Sequence, residues 1–187
     1  MQNINEFIET TRAGLVAATE GLSEAQWSFQ PSPECWSIAQ ILEHVVTTQE
    51  LVLGPVCQRL AAAPPAPADH DRGQIDALIM TGFSNRTRRF KGPEMLWPTG
   101  KIAPAEAIHR LAANCVRQAE YLAATPDVRE HAVESAPLKA MSDGRFQFMD
   151  GYQLMLTLAA HAARHTAQIE EVKADPHFPA REAATVA

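Results

Sequence analysis

Four stretches of this chain repeat apolar residues at the three- and four-residue spacing of an amphipathic helix, and each runs into a glycine or proline where a helix stops or bends. The first opens at Asn3-x-x-Glu6, a capping-box pattern, carries Phe7, Thr11, Leu15, Ala18 and Leu22 on one face, and is predicted to end near Gly21. The second opens at Ser37-x-x-Gln40 and continues through Ile38, Ile41, Leu42, Val45 and Val52. It meets Gly54-Pro55, where the missing donor and the proline ring either kink a helix or end it. The third starts on Pro104, shows Ile108, Leu111, Cys115, Ala119 and Leu122, and stops at Thr125-Pro126. The fourth opens at Asp150-x-x-Gln153 and runs to about Ala174, before Asp175-Pro176.

Helical spacing of this kind predicts an all-α fold, a four-helix bundle with long connections. Alanine, the strongest helix former, supplies 32 of the 187 residues, which supports the same class. Between the second and third main helices, Ala63-Pro64-Pro65-Ala66-Pro67-Ala68 reads as a stiff connector, Gly73 to Phe83 as a short extra helix, and Trp97-Pro98-Thr99-Gly100 as a loop laid over the body of the fold. Residues 126–149 read as irregular. At ~150 residues per domain the chain is expected to form one domain, residues 1–179, with a loose tail over 180–187.

A net charge of −6 has the wrong sign for a protein that neutralises phosphates, so nucleic acid is not an expected partner. The one basic run, Arg86 to Lys91, reads as a solvated helix face or loop. Cys35, Cys57 and Cys115 are odd in number and share no Cys-x-x-Cys, which argues against a disulfide framework or a cysteine zinc site and suits a reducing cytoplasm. No basic stretch with an apolar follower opens the chain, and no run approaches the ~18 apolar residues of a membrane span, so a soluble cytoplasmic protein is expected.

The chemistry concentrates in the fourth helix. At ~100° per residue, Leu158, His161, His165, Ile169 and Val172 fall within an arc of about 80°, so both histidines lie in the apolar seam. Their i,i+4 spacing stacks the rings one turn apart, within reach of one ion needing nitrogens ~2.0–2.1 Å away. The pair alone leaves two readings open: a chelate, or two core imidazoles hydrogen-bonded to neighbours. A stable metal site wants a third ligand from another helix. His44 is the best candidate, on a flank roughly 100° from the middle of the second helix's apolar arc, beside Ile41 and Thr48. His109, His70, His131 and His177 read as surface histidines.

Trp36-Ser37-Ile38-Ala39-Gln40-Ile41-Leu42-Glu43-His44 resembles the Trp-Ser-to-His segment of DinB-like proteins, and His161-x-x-x-His165-x-x-Gln168-Ile169 resembles their C-terminal metal motif. Phe178-Pro179 suits that family's ending. The resemblance implies a DinB four-helix bundle in which His44, His161 and His165 hold a divalent metal, commonly zinc or nickel, often in a homodimer. The family includes bacillithiol transferases and mycothiol-dependent maleylpyruvate isomerases.

Three imidazole ligands leave a coordination position open, as catalytic zinc sites do. A divalent ion lowers the pKa of bound water towards ~7 and removes the proton from a coordinated thiol. The leading expectation is therefore a metal-dependent transferase acting on a small-molecule substrate with a low-molecular-weight thiol. The alternatives are a metal-dependent hydrolase, a bundle that binds metal or a partner in stress without turnover, and purely structural histidines. Glu43 and Glu50 are the nearest acids to His44, but Glu43 projects about 100° from it, and no base is assigned. Arg164 reads as solvated rather than as a carboxylate clamp, Trp36 and Trp27 as packing at helix starts rather than a pocket mouth, and Ser37 as a helix cap rather than a nucleophile.

Overall fold

The computed structural model describes residues 3–83, 85–87 and 93–180. Four long helices form the body: α1 (Ile4–Thr19), α3 (Ile38–Leu51), α6 (Pro104–Ala124) and α8 (Gly151–Lys173). Between them lie α2 (Glu24–Ser28), α4 (Cys57–Ala61), α5 (Arg72–Gly82) and α7 (Ala136–Met141). α1 packs on α6 and α8, and α3 packs on the same two helices, so α1 faces α3 and α6 faces α8 across the bundle. Consecutive main helices α1 and α3 are thus not neighbours, nor are α6 and α8. Tight turns make antiparallel neighbours, and these diagonal crossings require the long connections that the sequence shows.

Capping decides where the helices begin. Ser37 and Asp150 each accept from the N–H three residues on, while the Gln40 and Gln153 side chains return the bond to the cap N–H. Asn3 makes a simpler cap, accepting from Asn5 N–H rather than forming a box with Glu6. α1 stops two residues before Gly21, whose φ of +67° is a left-handed conformation that glycine adopts without strain. Ser23 and Gln26 form a further capping box and start α2, a helix not anticipated from the sequence.

Gly54-Pro55 does not end the helical run. The chain passes through a π-helical turn, Val52–Val56, and resumes as α4. Proline has no N–H and crowds the carbonyl four residues back, and a widened turn lets the helix continue past both problems. The predicted short helix is α5, capped by Asp71 and packed on α8 through Ile75 and Ile79. Residues 126–149 are more ordered than expected. Strand β1 (Ala132–Glu134) pairs antiparallel with β2 (Phe148–Asp150), Val133 opposite Met149, with α7 between them, and β2 runs directly into the cap of α8.

The core has two parts. One, around Ile8, Ile79, Leu138 and Met155, lies beside the hairpin, and the other, around Leu15, Ile41, Leu42, Leu111 and Ile169, fills the bundle between α3 and the second half of α8. At about 1.5–3 kcal/mol per fully buried large aliphatic side chain, these layers hold α3 and α8 in fixed register. Past α8, Phe178 meets Phe29 edge to face at 5.5 Å and the Pro179 carbonyl accepts from Gln26 Nε2 at 2.9 Å, which fastens the chain's return to α2. Of the tail expected over 180–187, residues 181–187 lie outside the described residues, as do residues 88–91 of the basic run. Among the described residues, no helix is long and apolar enough to cross a membrane.

Candidate metal centre

His44 lies two turns into α3, and because the Ser37 box fixes the start of that helix, its side chain falls on the flank that α8 covers. It is buried, which a projection of α3 alone does not show. From α8, His161 and His165 rise one turn apart; His165 is buried and His161 is partly exposed. The structure brings all three predicted histidines together. His161 Nε2 lies 3.2 Å from His44 Nε2 and 3.0 Å from His165 Nε2, and one nitrogen from each ring falls within 4.8 Å of the other two.

The remaining ring nitrogens decide what this cluster is. His44 Nδ1 sits 2.8 Å from the Leu96 carbonyl, which can only accept, so Nδ1 carries the proton and Nε2 presents a lone pair. His165 Nδ1 sits 2.9 Å from Gln168 Oε1, an oxygen that also accepts from Arg86 Nη1 at 3.3 Å. His165 Nε2 is therefore a second lone pair. His161 Nδ1 is buried without a partner, so its polar contacts run through Nε2 alone. A single Nε2–H on His161 could satisfy one of the two lone pairs it faces and would leave the other unpaired.

Protonation does not resolve the conflict. Burial pushes all three imidazoles below their ordinary value, and for His161, where the charges of His44 and Arg164 add to desolvation, the pKa falls to about 3. A cation bound by lone pairs does resolve it. For the two pairs that His161 makes, nitrogens ~2.0–2.1 Å from one ion and 3.0–3.2 Å apart subtend roughly 90–105° at it, within the range of tetrahedral to octahedral coordination. The donor set fits a divalent ion, and outer acceptors on Nδ1 are the usual companions of metal-binding histidines.

Around the cluster, Trp36 packs on His44 with ring centroids 4.9 Å apart. Trp27 is a partly buried member of the same core, and Ser37 is a cap. Glu43 is buried and accepts from Thr99 N–H at 3.1 Å, Thr99 Oγ1 at 2.8 Å and Gly100 N–H at 2.8 Å. Burial opposes its charge, but the hydrogen bonds from Thr99, Gly100 and Lys101 outweigh it and hold the carboxyl below the usual glutamate range. Glu50 pairs with Arg110, Oε1 to Nε at 2.8 Å. Arg164 is not a solvated arginine: it is buried and donates to the carbonyls of Phe83 and Asn85.

Of the other histidines, His109 and His177 are exposed and His131 donates to the Ala63 carbonyl at 2.8 Å. His70 corrects the sequence reading, since its side chain is only 4% exposed and its Nε2 lies 3.6 Å from Asp150 Oδ2. The outer contacts Leu96, Glu43 and Gln168 were not assigned from sequence. Only Gln168 had a readable signal there, three residues after His165 on the same face.

Residues 8–169 match the DinB superfamily. No curated protein matches the chain in sequence. Among solved structures it is similar to YfiT from Bacillus subtilis, described as a probable metal-dependent hydrolase with an unusual four-helix bundle topology. The likeness has a TM-score of 0.55 at 13% identity and covers 91% of this chain and 83% of that one, which establishes a shared fold.

Proposed function

The chain belongs to the DinB superfamily, and we propose that it is an enzyme whose divalent ion is held by His44, His161 and His165 and which transfers a low-molecular-weight thiol to an electrophile. The observation that carries the metal is the convergence of three Nε2 atoms, two of them held as lone pairs by acceptors behind the rings. Imidazole donors suit zinc or nickel. When bound, such an ion removes the proton of a coordinated thiol and lowers the pKa of water, so thiol transfer needs no protein base whereas hydrolysis gains from one.

The acids nearest in sequence to His44 are both committed, Glu43 to Thr99 and Gly100 and Glu50 to Arg110. That favours the thiol reading. His161 is the one of the three histidines that is not fully buried, which supports access for a small molecule from its side, while Trp36 and the 96–100 segment pack against His44. Hydrolysis is the second reading, supported by the fold shared with YfiT.

The test uses untagged protein, metal-loaded or stripped with EDTA, mixed with a bacterial thiol and a chlorodinitrobenzene-type electrophile. Acceleration by the loaded protein alone supports transfer. Turnover of activated esters without thiol supports hydrolysis, and tight metal binding with neither activity would leave a non-catalytic metal-binding bundle.

A further inference from the structure

We propose that Glu43 is a positioning residue for His44: it clamps the 96–100 segment, and that segment's Leu96 carbonyl fixes the tautomer and direction of the His44 imidazole. The inference rests on the metal reading, because it concerns how one of the three ligands is held.

Glu43 and His44 are neighbours on α3 and point about 100° apart, so the same strap of chain crosses over both. A buried carboxylate is costly unless its lone pairs are filled. Two of its hydrogen bonds come from Thr99 and one from Gly100, within the strap, and the next residue, Lys101, adds a backbone N–H. Gly100 has a φ of +72°, and a Cβ there would meet nothing within 4 Å, so the backbone conformation rather than space calls for glycine at this turn. Four residues before Gly100, Leu96 ends a short 3-10 turn, Glu94–Leu96, and sets its carbonyl 2.8 Å from His44 Nδ1.

The strap is thus tied to α3 at two adjacent residues, once through a carboxylate and once through a ligand. Trp36 packs on the ring and limits its tilt. The freedom that remains is a ring flip exchanging Nδ1 and Nε2, and an acceptor-only carbonyl in the Nδ1 position opposes it. Groups that orient metal-binding histidines from behind commonly change metal affinity 10–100-fold when removed.

Three untagged variants test this against the wild type: Glu43→Gln, which turns one acceptor into a donor with little change of shape, Thr99→Val, which removes the hydroxyl bond, and Thr99→Ser, which keeps it. Zinc dissociation constants come from chelator competition, and the His44 tautomer comes from long-range proton–nitrogen spectra of zinc-free protein. Zinc binding should weaken about tenfold in Glu43→Gln and in the same direction in Thr99→Val, with Thr99→Ser at the wild-type value. Zinc-free wild type should show His44 protonated at Nδ1, and Glu43→Gln should show mixed tautomers.

Unchanged affinity in both Glu43→Gln and Thr99→Val, with a wild type that binds tightly, overturns the proposal and leaves the metal reading standing. A wild type that binds no zinc overturns the metal reading; a His44 tautomer that is mixed, or that Glu43→Gln leaves unmoved, then overturns the positioning role as well. Should Glu43→Gln fail to fold, Thr99→Val against Thr99→Ser decides the outcome.

Discussion

The Nε2 atoms of His44 and His161 come from residues 117 apart in sequence and stand 3.2 Å apart in the bundle. A neutral His161 can place its one Nε2–H against His44 or against His165 at 3.0 Å but not against both, and burial disfavours a second proton, so the three nitrogens together call for a cation. Untagged protein should therefore carry close to one equivalent of divalent metal per chain. Excess zinc at ~100 times its dissociation constant should stabilise it by about 2.7 kcal/mol. His165→Ala should lose most of the metal content and all of the zinc-dependent rise in melting temperature. Elemental analysis paired with thermal melts checks this, and a variant that keeps both would remove the metal centre.

The pair His161 and His165 was readable because helical spacing alone puts both on the seam of α8. His44 was harder, since its burial depends on α8 lying over a flank that looks marginal on a projection of α3; its place in the second helix made it the best third candidate, and the Trp36-to-His44 resemblance strengthened that. The strap was readable as a loop laid over the fold, but not in what it contacts. Leu96 contributes a backbone carbonyl, which has no sequence signature, and Glu43 is committed by donors more than fifty residues away. Strands of three residues are too short to show alternation, so β1 and β2 passed as irregular chain, whereas α2 had a signal in Ser23-x-x-Gln26 that went unused.

His70 was misread for a related reason: the carboxylate beside its buried side chain sits at the start of a helix eighty residues later. There Asp150, fully buried, is held by Arg129 Nη1 at 3.1 Å, and Arg129 Nη2 reaches Asp76 at 2.7 Å. Burial raises the Asp150 pKa, with the Gln153 N–H and Arg129 opposing. Arg129→Met leaves that carboxylate without its cation. Breaking a buried pair costs about 3–5 kcal/mol, but the Arg129 side chain is 25% exposed and water replaces part of the loss. The expected cost is about 2–3 kcal/mol, a fall of roughly 5–10 °C in melting temperature. Zinc affinity should not change, because Asp150 lies eleven residues, or about 16 Å, before His161 along the helix. A thermal melt beside a zinc titration separates the two effects.

At the junction of β2 and α8, a Cβ on Gly151 would lie 2.6 Å from Tyr121 Oη and 2.9 Å from the Val128 carbonyl, and the Gly151 N–H bonds that same carbonyl at 2.8 Å. A tyrosine end can swing away, but a backbone carbonyl engaged in a hydrogen bond moves only with its loop. Gly151→Ala should cost about 1–3 kcal/mol by overpacking, despite the better helix propensity of alanine. Chemical denaturation should show a lower midpoint, and an unchanged midpoint would mean that the Val128 loop gives way freely.

Cys115 illustrates how charge placement can silence a thiol. Its Sγ lies 3.3 Å from Glu9 Oε2, and burial, together with the Glu9 carboxylate, pushes its pKa up to about 11. Raising a thiol pKa keeps the neutral form dominant, so at pH 8 only about one molecule in a thousand presents the reactive thiolate. Iodoacetamide labelling at this position, followed by mass spectrometry, should be slow and should climb about tenfold per pH unit between pH 7.5 and 9.5 without levelling off. Glu9→Gln removes a negative charge that disfavours the thiolate, while Arg12, which favours it, remains. Labelling in that variant should therefore be faster at every pH in the range, and a rate that levels off near pH 8.5 in the wild type would show that Glu9 does not control this thiol.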